Sequence, residues 1–273
     1  MKLYAVADLH LGAAANREAL DGVIPRPDDW LLIAGDIGEK REHLELAFET
    51  LTPRFRQLVW VPGNHELWTL PQSGALARGH AKYEECVSIC QRYGVVTPED
   101  PYPVVDVDGR RVRIAPLALF YDYSFRPADV AFADAVAWAR ESGIRCADED
   151  RIHTDPYPDM AYWCQARCEA TEARLHQACA DGLPTVLLNH YPLRDELARL
   201  PRVPRFAIWC GTRLTEDWHR RFNAVAMVYG HLHIPTRQLI DGVPCHEVSF
   251  GYPKQWQRWA SSINDAIRQI RVG

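Results

Sequence analysis

The sequence predicts an α/β fold: a four-layer-like sandwich of two mixed β-sheets flanked by helices, with one helical insertion. Three observations carry this expectation. Apolar runs alternate with helical stretches early in the chain, the pattern of a mainly parallel sheet with helices on both faces. The run Asp29–Ala34 is continuously apolar, as in a strand covered on both sides. Later, Val104–Ala115 and Gln238–Phe250 turn on Asp108-Gly109 and Asp241-Gly242, a strong two-residue hairpin signal, so antiparallel edges join the parallel centre.

In chain order, Lys2–Leu9 is a short apolar strand bounded by Gly12, followed by a helix over Asn16–Gly22 and a turn at Pro25-Arg26-Pro27. After the strand Asp29–Ala34 comes a helix over Arg41–Leu51, with Leu44, Phe48 and Leu51 on one face, then the strand Gln57–Val61. Leu76, His80, Tyr83, Val87 and Cys90 recur at helical spacing and predict a helix over Leu76–Tyr93. Residues 121–182 separate a strand ending near Phe120 from the strand Thr185–Asn189. They contain helical patterns over Ala128–Ser142 and Asp159–Ala180, joined by an acidic, proline-containing turn. This insertion is either a cap over a site or a pair of sheet-covering helices. The tail 255–273 reads as a terminal helix docked by Trp256 and Trp259, and residues 1–273 as a single domain.

With 273 residues, 47% hydrophobic and 25% charged, the chain has enough material for a full core. A net charge of −5 argues against nucleic acid as the main partner, because neutralising phosphates takes a basic surface. No apolar run is long enough to span a bilayer, and no secretory pattern precedes the first strand, so the expected compartment is the cytoplasm. The eight cysteines are then expected as thiols. Cys164, Cys168, Thr171, Leu175 and Cys179 form one helical stripe, which reads as packed core, with a redox or metal role as the alternative.

The chemistry concentrates at five strand ends. Asp8 and His10 follow the first strand, Asp36 the second, and Asn64-His65-Glu66 the third; His190 and then His231 and His233 follow later apolar runs. Residues two apart in an extended segment point to the same side, so Asp8 with His10, and His231 with His233, each make half a site for a divalent transition metal. Singly, each has an ordinary reading: a strand end, a helix cap at Asp36, a buried hydrogen-bonded His190. Jointly, five such clusters in one chain point to metal.

Asp8-x-His10, Gly35-Asp36, Gly63-Asn64-His65-Glu66, Asn189-His190 and Gly230-His231-x-His233 together resemble the full signature of the calcineurin-like metallophosphoesterase superfamily. The resemblance spans nearly the whole chain. It implies the metallophosphoesterase fold and two divalent ions, with manganese as first expectation and iron or zinc as alternatives. Asp8, His10, Asp36 and His233 would hold one ion, and Asp36, Asn64, His190 and His231 the other, with Asp36 bridging. Two ions about 3.5–4 Å apart clamp the attacking and leaving oxygens of an in-line displacement and acidify a shared water. His65 would be the proton donor to the leaving oxygen. Glu39 either orients His65 or is a solvated acid at a helix start, and Lys40 either meets a phosphate oxygen or is surface charge. Glu66 stands where many members have Asp, which leaves the ligand set untouched.

A narrower resemblance runs to bacterial phosphopantetheinyl hydrolases, through Val61–Trp68, Tyr121–Phe125, Trp209–Thr212, Asn223–Pro235 and Glu247–Pro253. It implies a phosphodiester substrate, 4′-phosphopantetheine on a carrier-protein serine, with Tyr121–Phe125 and Trp209 either around the substrate or in the core. Arg194, Arg199, Arg202, Arg205, Arg213, Arg220 and Arg221 make one stretch basic, which suits an acidic acyl carrier protein or is plain surface charge. Alternatives are a general phosphatase or phosphodiesterase, a nuclease, and a binding scaffold without activity. A scaffold would be expected to lack ligands, and none is missing.

Overall fold

The computed structural model describes residues 1–70 and 77–272. Its strands, in chain order, are β1 (Leu3–Val6), β2 (Arg26–Ile33), β3 (Phe55–Trp60), β4 (Val104–Val107), β5 (Arg110–Pro116), β6 (Thr185–Leu188), β7 (Ala224–Tyr229), β8 (Thr236–Ile240), β9 (Val243–Glu247) and β10 (Arg268–Ile270). They form two mixed sheets, ordered β10-β1-β2-β3 and β4-β5-β6-β7-β9-β8. β1, β2 and β3 run parallel, as do β5, β6, β7 and β9. The edges β10, β4 and β8 are antiparallel. Both Asp-Gly hairpins form, as β4–β5 and β8–β9.

Strand alternation builds the layers. Leu3, Ala5, Leu32 and Val59 of one sheet join Ile114, Val186, Leu188 and Val228 of the other in a cluster drawn from both sheets. Their neighbours Val6, Ile33, Trp60, Leu187 and Met227 point the other way, into a larger cluster with helical side chains. The helices are α1 (Ala14–Asp21), α2 (Arg41–Leu51), α3 (Asn64–Leu67), α4 (His80–Arg92), α5 (Ala135–Glu141), α6 (Asp148–Arg151) and α7 (Met160–Ala178), followed by single turns. Each fully buried Val or Leu contributes about 1.5–3 kcal/mol, so both clusters fix the strand register and hence where the strand ends lie.

The structure departs from the sequence reading in four places. Pro25-Arg26-Pro27 is not a free turn: β2 reaches back to Arg26, and the β2–β3 register shifts between Arg26 and Trp30, which tolerates a proline without an N–H. α4 begins at His80; Leu76 lies outside the described residues, and Tyr83, Cys86, Val87 and Cys90 carry the buried stripe. The acidic turn of the insertion is helical as α6, and its Asp148 is buried. The tail is not one helix. Pro253–Trp256 and Ile263–Ala266 are single turns, and Arg268–Ile270 pairs with β1 as an edge strand. The open edge of β1 and the β-branched Ile267 and Ile270 favour that pairing over a helix. Trp256 docks as expected, stacked on Phe250 at 4.8 Å, but Trp259 stays 40% exposed. Gly273 lies outside the described residues.

All eight cysteines are free thiols, and Cys164 and Cys168 sit in the larger core cluster. Burial pushes Cys86 up to about 12 and Cys164 well above the usual thiol value, which makes them inert packing. No helix among the described residues is long and apolar enough to cross a membrane.

Candidate metal centre

The C-terminal ends of β1, β2, β3, β6 and β7 converge. Each is followed by a loop or, after β3, by the first turn of α3, that carries one sequence-predicted residue or pair: Asp8 and His10, Asp36, Asn64 and His65, His190, and His231 and His233. Such convergence is where ligands bind in open α/β sheets. Five of these side chains sit on left-handed backbone: Asp8 (φ 55°), His10 (41°), Asp36 (55°), His231 (72°) and His233 (53°). That conformation is costly for non-glycine residues and persists where surroundings over-determine it. Here they do: Asp8 N donates to Gly35 O at 3.0 Å, His10 N to Asp36 O at 3.0 Å, and Gly230 N to His190 O at 2.9 Å. Gly35 (φ 80°) must be glycine, since a Cβ there would meet Gly63 N at 2.6 Å and His190 Nδ1 at 2.8 Å.

Two groups of donor atoms result. In the first, His233 Nε2 is 3.0 Å from both Asp8 Oδ1 and His10 Nε2. In the second, His190 Nε2 is 3.1 Å from Asn64 Oδ1 and 3.2 Å from His231 Nδ1, with Asn64 Oδ1 3.2 Å from His231 Nδ1. Asp36 Oδ1 lies 3.6 Å from His190 Nε2. Donor groups within reach of a single ion include Asp8 with His10 and His233, and Asp8 with Asp36 and His190.

The donor set fits divalent cations. His190 Nδ1 donates to Ala34 O at 2.8 Å, which leaves its Nε2 lone pair facing the second group. His233 Nδ1 likewise donates to Gln255 Oε1 at 2.9 Å, so its Nε2 lone pair faces a carboxylate oxygen. Lone pairs that converge head to head call for a positive charge between them. The buried acids say the same: Asp8, Asp36, Glu66, Asp148 and Glu247 are each 2% exposed or less. Burial, with Glu66 and Asp8 adding, holds Asp36 well above the usual carboxylate range. Burial would also raise Asp8, but His233, His190 and His10 outweigh it and hold Asp8 low. Burial lowers His190 to about 4, keeping it neutral, as a metal ligand must be. Burial also works against a charged His233, yet Asp8 raises it, the same field that attracts a cation.

His65 stands at the edge of this cluster. Its Nδ1 is 2.8 Å from Glu39 Oε1, and its Nε2 is 3.9 Å from Asp36 Oδ2. Glu39 is therefore not a solvated acid. Burial would raise it, but hydrogen bonds from His43 and His65 prevail and hold it low. Lys40 is exposed and does not line the cavity at the cluster.

Several side chains matter here in roles that the sequence does not reveal. Glu66 accepts from Gly63 N (2.8 Å), Asp36 N (2.9 Å) and Ile37 N (2.6 Å), clamping the β2 and β3 loops together. Asp148 Oδ1 accepts from Asn64 Nδ2 at 3.0 Å and Trp68 Nε1 at 2.7 Å, which turns Asn64 Oδ1 toward the histidines. Tyr252 stacks on His10 at 4.1 Å, with its OH 3.4 Å from His65 Nε2. Ser249 Oγ lies 2.6 Å from Asp8 Oδ2 and also touches Glu247 Oε1. One hydroxyl has one proton. When Ser249 donates to Asp8, Glu247 must supply the other, and burial with the Asp8 charge pushes Glu247 up to about 7.

A cavity of ≈ 290 Å³ opens on the cluster; Arg145, Cys146, Ala147 and Asp148 form one wall and Phe206 and Val203 another. Tyr121, Phe125 and Trp209 do not line it. Tyr121 and Trp209 are at most 1% exposed, and Trp209 Nε1 donates to Glu149 Oε1 at 2.6 Å, so the core reading holds for these aromatics.

Comparison with known proteins agrees with this geometry. The chain is 44% identical over 259 residues to [Acyl-carrier-protein] phosphodiesterase PptH of Mycobacterium tuberculosis, covering 94% of this chain and 79% of that protein. It superposes on the crystal structure of phosphopantetheinyl hydrolase (PptH) from Mycobacterium tuberculosis with a TM-score of 0.93 at 43% identity, covering 98% of this chain and 95% of that one. The calcineurin-like phosphoesterase family model matches residues 1–235, so this chain belongs to the calcineurin-like phosphoesterases and is a metal-dependent phosphoric ester hydrolase.

Proposed function

We propose that the chain is a dinuclear phosphodiesterase that removes 4′-phosphopantetheine from the serine of an acyl carrier protein. The observation that supports the two-ion reading is the presence of two groups of converging donor atoms, His233 Nε2 against Asp8 Oδ1 and His190 Nε2 against Asn64 Oδ1, with Asp36 within ion-binding reach of members of both. Asp8, His10, Asp36 and His233 would hold one ion, and Asp36, Asn64, His190 and His231 would hold the other. The mixed oxygen and nitrogen set suits manganese, with iron or zinc as alternatives. When bound, the ions supply Lewis acidity and an activated water for in-line displacement at phosphorus.

The chain's own residues do the rest. Glu39 accepts from His65 Nδ1–H, and its carboxylate balances the charge of a doubly protonated ring; the second proton, on Nε2, then faces the cluster and passes to the departing serine oxygen, leaving the ring neutral. Tyr252 stacks on His10 and Trp68 packs on His65, with ring centroids 4.1 Å and 3.7 Å apart, so both imidazoles are held in place. Within the 121–182 insertion, the Arg145–Asp148 segment acts as a side wall of the site, while α7 covers the core with Cys164, Cys168 and Leu175. The carrier-protein substrate is supported by the likeness to the mycobacterial phosphodiesterase over 94% of this chain. Eight free thiols suit a cytoplasmic location.

The test is a hydrolysis panel of p-nitrophenyl phosphate, its bis-ester, coenzyme A and holo acyl carrier protein, with manganese, iron or zinc restored to metal-stripped enzyme. The expected result is conversion of holo to apo carrier protein by mass, fastest with manganese. Turnover of the monoester alone would remove the carrier-protein reading.

A further inference from the structure

A second, larger cavity of ≈ 940 Å³ lies beside the metal centre, between the Leu200–Val203 segment, the Leu232–Pro235 loop and the tail from Gln255 to Arg268. It shares Leu200, Val203, Leu232, His233 and Gln255 with the smaller cavity, so the two are continuous. Its rim is unusual in two respects. Val203 (41% exposed), Ile234 (43%) and Trp259 (40%) gather there, three of the large apolar side chains left open to solvent. Arg202, Arg258 and Arg268 are exposed on the same rim and form no ion pair among the described residues, the Arg268 guanidinium lying 5.7 Å over the Trp259 ring.

That freedom stands out against the neighbouring arginines. In the basic stretch from Arg194 to Arg221, Arg194 pairs with Glu196, Arg205 with Glu141, Arg213 with Asp195, Arg220 with Asp241 and Arg221 with Glu172. Five of its seven charges are spent within the protein, and most of the stretch is ordinary paired surface. Arg202 is not, and it lines the cavity together with two further guanidinium groups from the tail, Arg258 and Arg268, that have no acidic partner among the described residues.

We propose that this groove is the docking surface for the carrier protein, with an acidic face of that protein seated on Arg202, Arg258 and Arg268. The proposal rests on the function given above. A diester whose leaving group is a protein serine requires a protein body at the mouth of the metal cavity, and this groove is continuous with that mouth. Unpaired, exposed cations beside open apolar side chains match an acidic partner in charge, and Trp259 provides an aromatic contact of the kind that anchors interfaces. Charges at such a rim act on association and its salt dependence.

The experiment uses the full-length, metal-loaded enzyme and the combined Arg202→Glu, Arg258→Glu, Arg268→Glu variant. Substrates are holo acyl carrier protein and bis(p-nitrophenyl) phosphate, with coenzyme A as inhibitor. Charge reversal is expected to lower kcat/KM for the carrier protein about ten-fold or more through KM, and to flatten its salt dependence. The small diester should change less than two-fold (roughly the scatter of distant surface changes), which also reports that the variant is folded. The Arg→Gln triple variant should fall between. An unchanged carrier-protein KM overturns the docking surface. So does an equal weakening of coenzyme A inhibition, because the groove would then hold the arm and not the protein. So would a wild-type dimer in solution that the variant breaks, which would give the groove to a second copy. A wild-type enzyme that cleaves the small diester but not the carrier protein overturns the proposed function, and the docking surface with it.

Discussion

Glu39 Oε1 lies 2.8 Å from His65 Nδ1, which points the opposite ring nitrogen at the cluster. If His65 is the proton donor, His65→Ala should keep its metal content and lose about 10²–10⁴-fold in turnover on esters with poor leaving groups. The loss should shrink for p-nitrophenyl esters, whose leaving group needs no proton. Equal losses on both substrate types would take His65 out of proton transfer. Glu39→Gln keeps the shape but not the charge, and should show the same leaving-group pattern in weaker form.

Asp148 reaches Asn64 from a different part of the chain, 84 residues away. Without it the Asn64 carboxamide is free to rotate and turn its NH₂ toward the histidines. Asp148→Ala should weaken binding of one of two manganese equivalents by about 10–100-fold, with the other little changed. Isothermal titration of metal-stripped protein resolves the two steps, and two unaltered steps would show that Asp148 only fills space.

Glu247 offers a prediction in pH. Its value, about 7 in the fold, lies above the unfolded value of about 4.3. The folded state therefore keeps a proton that the unfolded chain has already lost. The stability this contributes is complete below the unfolded value and is lost as pH rises toward about 7. Glu247→Gln cannot ionise and can still donate to Ser249. In metal-free protein, the fall in Tm between pH 5 and pH 8 should be smaller in Glu247→Gln than in wild type. Parallel curves would contradict the shared-proton arrangement.

The sequence made the strand-end residues legible because each follows its own apolar run: the separation from Val6 to Asp8 or from Tyr229 to His231 is local, and the strand fixes it. Both Asp-Gly hairpins were readable for the same reason. What was not legible is held by distant approaches. Ser249 meets Asp8 across 241 residues, and Tyr252 meets His65 across 187. In sequence Asp148 is one acid of an acidic, proline-containing turn; its burial, and its bond to Trp68, come from the packing of α6. The tail, which reads as a terminal helix docked by Trp256 and Trp259, ends instead in a strand, because the open edge of β1 is invisible locally.

The most direct measurement is an anomalous-scattering map of crystals grown with manganese. The expected result is two peaks about 3.5–4 Å apart. One should lie against Asp8, His10 and His233, the other against Asn64, His190 and His231, with an Asp36 oxygen on each. Asp36→Ala crystals should show neither. A single peak, or a pair that does not share Asp36, would contradict the two-ion centre.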